Sequence, residues 1–200
     1  MKQAFVGLSI GILLALGGYF GYQYLYPSQP VEQIEKYHVH ADFAVYLDGK
    51  KYNFAQEKYM VSIDVCELEN QTKRTHLHDM NDNVAHVHAP DQTWGIFFSN
   101  IGFTLTYDLK KDYPVLETDE GKVYENGRMF VSGKEIPKQT SFNGYEIKDL
   151  DQVAFFFGNT NEQIIGDGLA QVTKQSCIYS GKCPIPEGVK LPEEHCGSEE

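Results

Sequence analysis

Over residues 37–47 apolar and polar positions alternate. Tyr37, Val39, Ala41, Phe43, Val45 and Leu47 fall on one side, and His38, His40, Asp42, Ala44 and Tyr46 on the other. A period of two marks a strand with one face on a core. Asp48-Gly49 is a hairpin turn signal, and residues 50–54 read as the returning strand. Residues 60–67 alternate again, with Val61, Ile63 and Val65 opposite Ser62, Asp64 and Cys66. A loop over 69–73 leads into residues 75–90, THLHDMNDNVAHVHAP, where two short alternating runs flank a polar turn. Thr93 reads as the N-cap of a short helix over 94–100 that Gly102 ends.

The pattern downstream is weaker. Residues 103–107 read as a strand, and residues 108–119 read as irregular. Residues 122–124 and 128–131 flank Glu125-Asn126-Gly127, a hairpin signal, and Ser132-Gly133 marks a further turn. Residues 152–157 form an apolar strand closed by Gly158, and residues 161–169 hold a helical turn. The expectation is a mainly β (α+β) domain over 37–176 with one or two short helices, followed by a Cys-containing tail over 177–200. Thirteen Tyr and twelve Phe favour strands in the same way.

Ahead of this domain the pattern changes. Residues 4–26 are mostly apolar, and no charge occurs between Lys2 and Glu32. As a helix this stretch would span about 34 Å, enough for a hydrocarbon layer of ~30 Å. It lacks an Ala-x-Ala cleavage site and a lipobox cysteine, so it reads as a transmembrane anchor (1–26) with a linker (27–36). Lys2 favours a cytoplasmic N-terminus and an extracytoplasmic domain on a single-pass cell-membrane protein. Tyr19, Tyr22, Tyr24 and Tyr26 would form the outer aromatic belt. Gly7/Gly11 and Gly17/Gly21 have the spacing of a helix-packing face, which allows a homodimer or a membrane-protein complex. The net charge of −11 argues against nucleic acid and anionic headgroups as partners and suits attraction of cations.

The chemistry lies in the histidines. Six of seven fall in three His-x-His units: His38/His40, His76/His78 and His86/His88. Each unit points two imidazoles from one strand face. If Asn81-Asp82-Asn83 forms a three-residue loop with Asn83 left-handed, His78 faces His86 and His76 faces His88. Those four rings can then converge on one ion or hold two. His38 and His40 can complete that site, form another, or act as outer groups. Imidazole is the commonest metal ligand. No thiolate lies inside a His-x-His unit and no methionine cluster accompanies them, which argues against a Cu(I) carrier and a zinc finger. An all-imidazole set suits Cu(II), Zn, Ni or Fe(II), with copper first and zinc close behind. Asp79 and Asp42 are candidates to orient the rings from outside the ligand set. The plain alternative is a polar strand surface.

Cys66, Cys177, Cys183 and Cys196 suggest two disulfides, for which three connectivities are open. Cys177 and Cys183 enclose a short loop and form the expected pair, leaving Cys66 for Cys196. CIYSGKC is too widely spaced for a redox CxxC unit. Trp94, Phe97 and Phe98 read as core. No phosphate loop, nucleophilic triad or kinase motif is present.

HVHADFAVYLDGKKY, THLHD…AHVHAP, TWGIFFSNIG and the late CIYSGKC together resemble an uncharacterised group of small secreted or membrane-anchored prokaryotic proteins. These carry an HxH strand, an LHxHD…HVE-like hairpin and a C-terminal cysteine pair. The resemblance covers about residues 37–183. It implies an extracytoplasmic domain with a histidine site and supplies no reaction. His88 departs from it, standing where an acidic residue is usual. Three function classes follow: a membrane-anchored metal-binding protein for capture, delivery or a membrane complex; a His-ligated oxidoreductase or hydrolase; and an accessory subunit without metal.

Overall fold

The computed structural model describes residues 37–61, 70–138, 142–188 and Leu191. These belong to a compact unit, Ile34–Glu200. The candidate anchor and linker, residues 62–67 of the strand expected over 60–67, His195 (the histidine outside the three His-x-His units) and the Cys66–Cys196 pairing lie outside the described residues. Among the described residues no helix is long and apolar enough to cross a membrane.

The domain is β-rich with few helices. Its main sheet contains β1 (Val39–Leu47), β2 (Lys50–Lys51), β3 (Thr75–His76), β4 (Val84–Val87), β8 (Arg128–Val131), β9 (Lys134–Glu135) and β10 (Gln152–Phe157). Their order is β3-β4-β1-β10-β8-β9, with β2 beside β1. Only β1 and β10 run parallel; the other pairs are antiparallel. A second sheet holds β5 (Thr104–Asp108), β6 (Tyr113–Glu117) and β7 (Val123–Tyr124). The helices are α1 (Gln71–Arg74), α2 (Trp94–Asn100), α3 (Glu162–Leu169) and α4 (Ser176–Tyr179).

The alternation in β1 sorts its side chains as expected. Ala41, Phe43 and Val45 are fully buried against α2, where Phe43 sits 5.0 Å from the Phe97 ring centre and 5.7 Å from that of Trp94. Thr93 caps α2 by accepting from the Ile96 amide, and Gly102 ends it at φ +83°. The reading of β1 as half-buried needs correction, because its second face is covered too. α3 closes one end of that face over Ala44, Tyr46, Ala154 and Phe156. Gly168 permits the approach: a Cβ there would lie 2.7 Å from the Phe156 ring. The other end carries the histidines under α4, so the expected tail begins with a packed element.

Two further expectations fail for local reasons. Residues 108–119, expected to be irregular, contain the strand β6. The Pro114 carbonyl points away from β5 and accepts from the Gly127 amide at 2.9 Å. The nitrogen of the same residue faces that side too, so the missing N–H costs no rung to β5. Glu125-Asn126-Gly127 is not a hairpin but the crossing from β7 in one sheet to β8 in the other. Gly127 makes that crossing: a Cβ would sit 2.6 Å from Phe157 and 2.7 Å from Pro114.

Asp151, just before β10, provides a pH-dependent test of the fold. Burial raises its pKa above the ordinary 3.8, and Lys148 offsets this only in part. Among the described residues its Oδ2 is buried with no hydrogen-bond partner. The folded state therefore binds the Asp151 proton more tightly than the unfolded chain. Stability contributed here falls as pH rises from 3.8 through the raised value and stays reduced above it. Asp151→Asn is expected to raise the melting temperature at pH 7, with the gain vanishing towards pH 3.5, as read by circular dichroism melts.

Candidate metal centre

Three strands supply the six imidazoles, and β4 is the middle one. His40 of β1 and His76 of β3 both pair with His86 of β4. Extending the β1–β4 register by one rung sets His38 beside His88. The faces follow the alternation, and all six rings share the side of the sheet opposite α2.

The hairpin register differs from the three-residue-loop expectation. His76, not His78, pairs with His86. Asp79 and Met80 are the left-handed residues, at φ +54° and +57°, and the Asn81 amide donates back to the His78 carbonyl at 3.0 Å. Both central residues at positive φ make a primed turn inside the longer connection over 77–83 that joins β3 to β4. The register moves by two residues. A shift of two preserves parity, so every ring keeps its face.

His40, His76, His78, His86 and His88 are buried, and His38 is partly exposed at the rim. The donor atoms of His38, His40 and His86 lie within 4.8 Å of one another. Their ring centres are 4.5 Å apart for His38–His40 and 4.7 Å for His40–His86. With metal–nitrogen bonds of 2.0–2.1 Å, rings on one ion at 90–110° have centres roughly 4.5–5.2 Å apart. This buried group can hold a metal.

Hydrogen bonds outside the cluster set which nitrogen faces inward. His76 Nδ1 lies 3.1 Å from the Lys73 carbonyl, which only accepts, so Nδ1 is the protonated atom. His78 Nδ1 donates to the Asp79 carboxylate at 2.9 Å. The His78 Nε2 of that neutral ring then accepts from His86 Nδ1, also at 2.9 Å. Ser180 Oγ gives its single proton to Asp149 Oδ1 at 2.6 Å and therefore accepts from His40 Nδ1 at 2.9 Å. In each chain the proton is drawn outward. The lone pair is left on Nε2 of His40, His76 and His86, all of them buried. Metal-bound histidines have this outer shell, with one nitrogen on the ion and the other donating to a carboxylate or carbonyl.

Asp149 anchors the second chain. Burial opposes its ionisation, but hydrogen bonds from Lys182, Ser180 and the His40 amide outweigh burial and hold its pKa below the ordinary value. Asp149, Ser180 and Lys182 were not legible as site residues. Ser180 and Lys182 lie in the loop that the Cys177–Cys183 disulfide closes, which was read as tail. The same loop sets Tyr179 over the rings, 4.9 Å from His86 and 5.6 Å from His40. Asn81 of the hairpin turn donates to the Tyr179 hydroxyl at 3.0 Å.

Asp79 stands where a ring-orienting carboxylate was expected. Asp42 does not, despite sharing the face of His40. Its Oδ1 accepts from Thr173 Oγ1 and the Gln175 amide, and its Oδ2 from the Ser176 amide and hydroxyl. Asp42 thus grips the segment leading into α4 and acts on the site only through that segment. Ser180→Ala is expected to weaken metal binding about 10- to 100-fold with little loss of fold stability, since outer-shell partners carry effects of that order. Chelator competition beside a thermal melt separates the two effects.

Comparison of the chain with protein-family models, curated proteins and solved structures returns no match.

Proposed function

We propose that this chain is a membrane-anchored, extracytoplasmic protein that binds copper or zinc through His38, His40 and His86. The observation behind this reading is the outward hydrogen bonding of Nδ1 on His40 and His86, which leaves basic Nε2 atoms in a buried, all-imidazole cluster. Six neutral rings packed together without such an ion would repel once protonated, and a purely structural core would use apolar residues at lower cost. The Cys177–Cys183 disulfide fits an oxidising compartment. The apolar stretch over 4–26 supplies the anchor in this reading, with the role being metal capture, delivery, or a site within a membrane complex. Absence of thiolate among the ligands favours Cu(II), then Zn(II), by the Irving–Williams order.

A second reading has one observation in its favour. Among the described residues three rings converge rather than four, and three protein ligands leave a position for water or substrate, as in catalytic sites. In that reading a bound ion would supply Lewis-acid or oxygen chemistry. The residues of this chain orient the ligands and exclude water, with Tyr179 and Ser180 over the rings.

The test is elemental analysis of the untagged full-length chain, exposed in turn to Cu(II) and Zn(II) and then desalted. Close to stoichiometric or higher retention of either ion is expected. Retention near zero for both overturns the proposal.

A further inference from the structure

We infer that the array takes a second metal ion beside the first, on His76 and His88. The inference rests on the metal-binding reading above and adds a site to it. The three rings of the first group use only half of the imidazoles on this face. His76 is not among those whose donor atoms converge. Its ring centre lies 6.2 Å from that of His86, beyond the spacing of neighbouring ligands on one ion.

His76 and His88 form their own pair. Their centres are 5.0 Å apart and their planes 11° from parallel, within the spacing that two imidazoles on a shared ion require. His76 carries the same outer-shell mark as His40. Its Nδ1–H is given to the Lys73 carbonyl at the end of α1, which leaves Nε2 basic and buried. A tautomer fixed in this way has no use for the first ion, which His76 does not reach. His88 continues the array, with its ring centre 4.5 Å from that of His38. His38 therefore lies beside both positions and ties the second site to the first. Two imidazoles leave the second ion with positions for water, so it binds more weakly than the first. Repulsion between two dications held this close acts in the same direction.

The experiment is a titration of the untagged full-length chain with Cu(II), followed by calorimetry and by elemental analysis after desalting. Two equivalents are expected for the wild type, one tight and one weaker. His76→Gln/His88→Gln is expected to lose the weaker equivalent and keep the tight one within about 3-fold. One equivalent in the wild type, or a double variant that still takes two, overturns this inference while leaving the first site standing. No metal in the wild type overturns the underlying reading as well. Should the double variant fail to fold, the copper-loaded wild type decides. Two Cu(II) ions on adjacent sites give a half-field signal in electron paramagnetic resonance, and its absence at two bound equivalents overturns the proposal.

Discussion

Replacing His40 and His86 together by alanine is expected to lower affinity for Cu(II) or Zn(II) by about 10⁴-fold. Four-ligand zinc sites bind with about 10–16 kcal/mol. Each ligand is then worth roughly 3 kcal/mol, and two of them about 6 kcal/mol, or four decades. The pair is chosen because β4 is the middle strand. His86 pairs with His40 on one side and His76 on the other, so no neighbouring ring replaces it without moving a strand. Each ring also ends a fixed hydrogen-bond chain, one through Ser180 to Asp149 and one through His78 to Asp79. His195→Ala should leave affinity unchanged. The measurement is competition against a chelator of known affinity. A double variant that binds as the wild type does would show that the ion sits elsewhere.

Much of this site was legible because β-structure has a period of two. Alternation alone assigned all six imidazoles to one face per strand, and the assignment survived an error in the hairpin. The connection over 77–83 sets the register two residues from the expected one, and parity is blind to a shift of two. The same alternation cannot say which strand lies in the middle. That is fixed by β1 pairing with β4 on one edge and with β10, more than a hundred residues away in sequence, on the other. Nor does alternation say what covers a face. A strand with apolar residues on one side and His, Asp, Ala and Tyr on the other looks half-exposed. Here Gly168 lets α3 close one end, and Asp42 draws the chain around 173–176 over the other. The residues that orient His40 arrive on that returning segment, and their identity depends on contacts 140 positions apart. The strand β6 raises a different point. Pro114 is disfavoured inside a sheet only when its nitrogen faces a partner, and which side it faces is set by the register.

The cover itself leads to the second large effect. Asp42→Ala is expected to destabilise the domain by about 3–5 kcal/mol, since several donors lose their acceptor at once and each buried donor left unsatisfied costs about 1–3 kcal/mol. Asp42 has no solvent exposure, and its two oxygens accept from four donors on Thr173, Gln175 and Ser176. Truncation removes the acceptor and leaves two backbone amides facing a cavity, so the cost exceeds that of a lost surface hydrogen bond. For a domain of this size the loss corresponds to a fall of about 10 °C or more in melting temperature. Asp42→Asn keeps one acceptor oxygen and turns the other position into a donor against an amide, so it should also be destabilising, by less. The metal readout separates packing from positioning. Asp42 touches the array only through the segment entering α4, and the disulfide Cys177–Cys183 closes the loop beyond it. At a temperature where the Asp42→Asn variant remains folded, reducing that disulfide removes the second tether of Tyr179 and Ser180. Affinity should then fall by more than the sum of the two separate losses, because each tether alone still holds the segment. Purely additive losses, or an Asp42→Ala domain that melts with the wild type, would show that α4 is held over the histidines by something other than this carboxylate.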